Sequence, residues 1–143
     1  MKTTWAWLMV AVVAAGCSAA GPVSDAEIVV EPIAASAEPI KVSWVGTWRT
    51  NWGQLDIIAG EGNRLLGSFS YKWEGQERVG ILVGEPVGNQ LPFHWSEQKG
   101  VDKGLGRFVL APDGSKFSGQ YGYDTSETDA GPWSGLRVRD TVL

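Results

Sequence analysis

The chain holds one cysteine, Cys17, and one histidine, His94. A lone cysteine excludes an internal disulfide, so an exported form of this protein must fold on its core alone. A catalytic thiol would need a base beside it, and the sole histidine lies far along the chain. Basic residues are scarce as well, with 12 Lys and Arg against 16 Asp and Glu and a formal charge of −4. No cluster of them forms a patch to meet phosphates, which excludes nucleic acid as a partner. No twelve-residue stretch carries helical periodicity. The apolar run near the start, Trp5 to Ala15, has eleven residues, short of the ~20 that a membrane-spanning helix needs.

That run has a different meaning. Met1 and Lys2 place a positive charge before it, and Ala14, Ala15 and Gly16 supply small residues after it, the order of a secretory signal. The small residues ending in Gly16-Cys17 resemble the lipobox of bacterial lipoproteins, with Ala14 where that motif most often has Leu. The resemblance implies a diacylglyceryl group on the Cys17 thiol, cleavage just before it and acylation of the new amine. Ser18 rather than Asp in the next position implies the outer membrane. The expectation is a signal peptide over 1–16 and a bacterial cell-envelope protein held to the membrane through Cys17. Three acyl chains at ~0.8 kcal/mol per buried methylene make such an anchor effectively permanent.

Residues 17–43 are rich in Ala, Pro, Ser and Glu, and Glu-Pro-Ile occurs twice, at 31–33 and 38–40. Proline forces extended backbone and removes hydrogen-bond donors, so this segment reads as a lipidated tether. Within it Ile28-Val29-Val30 is the stretch able to dock as an extra edge strand. Without Lys2 the net charge is −5, and residues 18–40 hold Asp25, Glu27, Glu31 and Glu38 with no basic residue, so −4 of it sits in that stretch and the domain over 44–143 is nearly neutral.

From Val45 onward the chain becomes a series of short alternating segments cut by glycine-containing turns. Gly46 to Asn51 is a first strand, and Leu55 and Ile57 mark a second. Leu65, Gly67, Phe69, Tyr71 and Trp73 follow at strict period two. Beyond Glu74-Gly75-Gln76 come Val79, Ile81 and Val83, then Leu91, Phe93 and Trp95 after another turn. Phe108 and Leu110, then Phe117, Gly119 and Tyr121, make two more strands, and Trp133, Leu136 and Val138 mark the last. Tight turns force antiparallel pairing between sequence neighbours. The fold class predicted is all-β, an antiparallel eight-stranded up-and-down (meander) β-barrel, with two packed sheets as the alternative. Closing the barrel removes exposed edges, and an eight-stranded interior is just wide enough for side chains or one small ligand.

The stretch GTWRTNWGQLDIIAGEGNRLLGSF from Gly46, together with Ser118-Gly119-Gln120-Tyr121, resembles the avidin and streptavidin family. The resemblance implies a barrel with a pocket at one end. It does not imply the ligand. The family grips biotin's ureido ring with Asn, Ser and Tyr where this chain has Thr50, Gln54 and Phe69. A wall Trp becomes Phe117, while Trp95 and Trp133 stand for the other aromatic walls. Ending at Leu143, the chain is expected to lack the family's last strand and its acidic contact. Tight biotin binding is therefore not expected.

Candidate chemistry is sparse. His94, between Phe93 and Trp95, is expected to face solvent. The run from Asp124 to Gly135 has Asp129 and Gly135 where a calcium loop needs Gly and Glu, so a polar hairpin loop is expected and no metal. The alternation puts no acidic pair on the inward face, so neither a general acid–base pair nor a nucleophile triad is expected, and no cofactor. Most of the six tryptophans of the domain fall on the inward register, as core filling or as a stacking pocket. The expected function is a binding module for a small apolar or flat ligand, with Phe69, Tyr71, Trp95, Phe117, Tyr121 and Trp133 as ligand-binding residues. The alternative is a protein-interaction or enzyme-inhibitor lipoprotein that uses its loops on an envelope partner.

Overall fold

The computed structural model describes residues 28–98 and 102–139. Among them there is no helix, and nine short strands account for the ordered secondary structure. These are β1 (Gly46–Thr50), β2 (Gly53–Ala59), β3 (Leu65–Trp73), β4 (Gln76–Gly84), β5 (Gln90–Glu97), β6 (Lys103–Leu110), β7 (Lys116–Tyr123), β8 (Gly131–Pro132) and β9 (Gly135–Arg137).

Each strand from β1 to β7 pairs antiparallel with the next, and β9 pairs with both β7 and β1, closing the cylinder. β8 and β9 form one stave. Tyr121 opposes Gly131 and Phe117 opposes Gly135, one continuous register, and between them the Trp133 amide donates to the Gly119 carbonyl at 3.0 Å. The eight-stranded up-and-down barrel is thus present, an architecture compatible with that of avidin, and its last strand lies within the chain.

The turns follow from their residues. The two-residue hairpin between β3 and β4 needs positive φ at both central positions, and Glu74 (53°) and Gly75 (80°) supply it. Inside, small residues face large ones. A Cβ at Gly80 would run into the Phe69 ring, and one at Gly106 into the Phe93 ring. The inward aromatics of one strand therefore occupy the space left by the glycines of the next.

This exchange overturns one expectation. The apolar alternation of Val79, Ile81 and Val83 marks them for the inner face; in the structure Gly80 and Leu82 take it, opposite Phe69 and Gly67. Ile81 is 55 % exposed on the outer wall. The apolar alternation of β4 points outward because Phe69 fills the interior beside it.

A second difference concerns the tether. Its described part, residues 28–43, lies along the barrel. The Ile33 amide donates to Ser118 Oγ of β7 at 3.0 Å, and Asn89 Nδ2 donates to the Ala34 carbonyl at 2.9 Å. The Ser36 amide donates to Asn89 Oδ1 at 2.7 Å, and the Asn89 amide to the Ser36 carbonyl at 3.1 Å. Ile28 is buried without forming a strand. Ile40 and Val42 pack on the core before Trp44, 3 % exposed, enters it. The apolar stretch at Ile28 marks a place where the strap can dock, but its hydrogen-bonding partners reside in the barrel, so its own composition shows neither the extent nor the mode of docking. The predicted signal peptide and Cys17 lie outside the described residues.

Chain direction defines two ends. The loops after β2, β4 and β6 lie at the end where Trp44 enters, and those after β1, β3, β5 and β7 at the other. At the Trp44 end the barrel is closed. Trp48 is fully buried, 5.1 Å from Phe117 and 6.3 Å from Trp44 between ring centroids. Its indole N–H donates to the Trp44 carbonyl at 3.1 Å. Arg137 lies over its ring at 4.3 Å and donates to the carbonyls of Gly114 and Val45 at 2.8 Å, and to that of Ser43. Burial lowers the affinity of this guanidinium for its proton. The cation over the indole face and three carbonyl partners compensate its lost hydration.

Candidate functional site, an aromatic mouth

The opposite end holds a cavity of about 230 Å³. Phe69 and Tyr71 of β3, Trp95 of β5, Tyr121 of β7 and Trp133 line it, five of the six predicted ligand-binding residues. The sixth is misplaced. Phe117 is fully buried, with its ring 4.2 Å from that of Phe108 and 5.1 Å from that of Trp48, and belongs to the closed end. Period two predicts whether a side chain points inward, not how far down the barrel it sits, and Phe117 enters β7 one residue from its start.

Further residues complete the rim: Trp52 in the β1–β2 turn, Trp73, Arg78, Glu97, Asp102 and Tyr123. Several were legible. Continuing the alternation Leu91, Phe93, Trp95 by one step gives Glu97, and continuing Phe117, Gly119, Tyr121 gives Tyr123. Arg78 shares the inward parity of Gly80 and Leu82, which the reversed reading of β4 concealed.

The rings meet mostly edge to face. Trp52 stands at 75° to Tyr71 and 82° to Tyr121, and Trp95 at 73° to Tyr121 and 68° to Tyr123. Such pairs hold their geometry and expose ring faces to whatever lies between them. The Trp95 indole N–H is fixed by the Gly122 carbonyl at 3.0 Å.

One charged cluster lies among them. Tyr71 is paired with Arg78 across β3 and β4, and Gly80 with Glu97 across β4 and β5. The Tyr71 hydroxyl donates to Glu97 Oε2, and Arg78 Nη1 donates to Glu97 Oε1 at 3.4 Å. The Glu97 side chain is only 9 % exposed, against 40 % for Arg78. Burial first, then the bond to Glu97, raises the Tyr71 hydroxyl well above its ordinary value. Burial does the same for Tyr121, with Tyr123 beside it adding to the effect. Both stay protonated throughout the neutral range, as donors and not as bases.

The loop after β7 is tied to itself and to the wall. The Tyr123 amide donates to Asp129 Oδ1 at 2.9 Å, and the amides of Thr128 and Asp129 donate to Ser126 Oγ. Arg107 forms a two-point pair with Glu127, both contacts at 3.3 Å. Among the described residues no three His, Cys, Asp or Glu side chains gather to hold a metal ion. His94 is exposed on the outer wall.

Two of the three positions that the avidin family uses for polar contacts stand away from this cavity. Thr50 is fully buried and donates to the Gly53 carbonyl at 2.7 Å, while exposed Gln54 donates to Asp56 at 3.1 Å. Only Phe69 of the three reaches the cavity. No protein-family model, curated protein or solved structure matches this chain.

Proposed function

We propose that this chain is a lipid-anchored lipoprotein of the bacterial outer membrane, whose barrel binds a small apolar or flat ligand rather than catalysing a reaction. The observation that carries the binding reading is the mouth cavity, walled by aromatic faces and rimmed by a few polar groups, the usual make-up of a small-molecule site. A closed apolar cavity of ~150 Å³ takes one benzene. The roughly 230 Å³ here therefore suits a ligand of about two fused rings, below the ~300 Å³ at which drug-sized sites begin.

The lipoprotein part rests on the signal and Gly16-Cys17. Replacing Cys17 by Ala moves the protein from the membrane fraction to the soluble fraction if the reading is right; equal partitioning of mutant and wild type refutes it. The ligand part is tested by native mass spectrometry of the protein purified from its source without denaturation. A bound mass lost on Trp95→Ala supports the mouth as its seat, and a mass retained in that variant places it elsewhere.

A second reading, a protein-interaction module, rests on the outer wall. Ile58, Leu66, Val79 and Ile81 are exposed there, the first and last by more than half. Exposed apolar side chains grouped on one face mark contact surfaces.

A further inference from the structure

We propose that the mouth of the barrel faces the bilayer that holds the anchor and rests on it, with the rings of Trp73 and Tyr123 at the level of the lipid headgroups; this rests on the lipid anchor at Cys17. The direction of the strap carries the inference. Ser36 and Ala34 are bonded to Asn89, in the loop between β4 and β5 at the closed end. Ile33 is bonded to Ser118, further up β7. Val30 and Pro32 share a groove with Gln120, Pro132 and Thr128. Gln120 and Pro132 pair halfway up the wall, and Thr128 belongs to the loop after β7, at the mouth. Followed toward the N-terminus, the strap climbs from the closed end to the mouth half of the barrel.

Chain length then favours one orientation. Ten residues lie between Cys17 and Ile28, and at ~3.3–3.6 Å each they span at most ~36 Å. A strand such as β7, with 8 residues at ~3.3 Å each and tilted by ~40°, makes the barrel about 20 Å tall. With the mouth toward the membrane, the connection to Cys17 leads straight to the lipid. With the closed end toward it, the same ten residues must first return down the barrel, and that consumes much of their reach.

The surface at the mouth suits the contact. Among the described residues the exposed aromatic side chains, Trp73 and Tyr123, both stand at the mouth, whereas the closed end exposes Val45, Val87 and Val138. Trp and Tyr favour the membrane interface, where the ring meets apolar chains and the N–H or O–H meets water. Charge selects the kind of lipid. Around the mouth the exposed Glu74, Glu77, Asp102, Asp124 and Asp129 outnumber Lys72 and Lys103, which repels anionic headgroups and leaves a zwitterionic surface as the partner. A cavity that opens there receives its ligand from the lipid side.

Tryptophan emission of the lipidated full chain in phosphatidylcholine vesicles tests this, with bromine on the upper part of the acyl chains as a contact quencher. A chain that does not float with the vesicles refutes the anchor, and this proposal with it. In the floating protein, bromolipid is expected to quench part of the emission seen in unbrominated vesicles. Trp73→Phe is expected to remove that quenching, since Trp44, Trp48, Trp95 and Trp133 are at most 5 % exposed. Should this variant not fold, Val87→Trp decides: the tryptophan it places at the closed end adds emission that bromolipid leaves unquenched. A floating protein without quenching overturns the mouth-down orientation while the anchor stands. Quenching that survives Trp73→Phe, or that reaches the added tryptophan of Val87→Trp, overturns it as well. Stronger quenching in vesicles half made of anionic phosphatidylglycerol overturns the zwitterionic assignment.

Discussion

The two ends of the barrel are built from the same residue types and put to different uses. At the closed end Trp44, Trp48 and Phe117 are at most 3 % exposed, and Phe108 and Phe117 approach to 4.2 Å. At the mouth Trp73 is 48 % and Tyr123 43 % exposed, and the rings stand around a space instead of filling it. What separates them is what meets the rings. Below, the strap delivers Trp44 and Arg137 lies over Trp48, so every face has a neighbour. Above, the loop after β7 is tied back to Ser126, Asp129 and Arg107. Aromatic content alone thus does not decide whether an end packs shut or stays open; the covering element does.

The comparison breaks most sharply at Trp48. Trp48→Ala removes a fully buried indole and the support of Arg137, and is expected to cost ~3–5 kcal/mol of stability in denaturant unfolding. The same truncation at Trp73 should cost less than ~0.5 kcal/mol. Comparable losses at both positions would mean that the two ends do not differ in packing.

Asn89 tests whether the strap is part of the closed end. Asn89→Ala strands the Ser36 amide and the Ala34 carbonyl, and is expected to cost ~1–3 kcal/mol. Limited proteolysis should then cut within residues 28–43 while the barrel persists. Resistance equal to wild type would show that the apolar contacts of Ile28, Ile40 and Val42 suffice alone.

A smaller effect sharpens the description of the mouth. Tyr71 and Tyr121 hold their protons more tightly folded than unfolded. The stability this contributes is fully present below the ordinary tyrosine range, near pH ~10, and is lost as pH rises toward the folded values. Absorbance titration at the tyrosinate band should show both resisting ionisation until the protein unfolds. Tyr71→Phe should flatten the alkaline loss; an unchanged alkaline arm would place Tyr71 in water. The smallest effect expected on stability is at Trp73→Ala, which keeps the melting temperature and weakens the binding of a two-ring aromatic probe such as naphthalene, read by equilibrium dialysis.

Much of this was legible in the sequence. Turn residues and period two gave the strands, their antiparallel pairing and closure, because each hairpin is a local device. The height of a side chain within the barrel was not legible, which is why Phe117 was assigned to the mouth. The direction of β4 was misread because hydrophobicity marks the inner face only where the inner face is filled by that strand. At Gly80 the filling comes from Phe69 of β3. The docking of the strap was hidden for a related reason, its hydrogen-bonding side chains Asn89 and Ser118 lying 53 and 85 positions away from their partners.

The strap also has a mechanical meaning. A pull applied at the N-terminus does not load β1 directly. It reaches first the buried side chain of Ile28, then the bond from Ile33 to Ser118, then the bonds around Asn89, then the wedge of Trp44 in the closed end. These yield one after another, like successive stitches, before any stave of the barrel bears load. The force needed to start peeling is that of one or two hydrogen bonds, whereas shearing β1 from β2 and β9 would break two ladders at once. Tension arriving from the N-terminal side is thus released in the strap, stitch by stitch, while the staves stay paired.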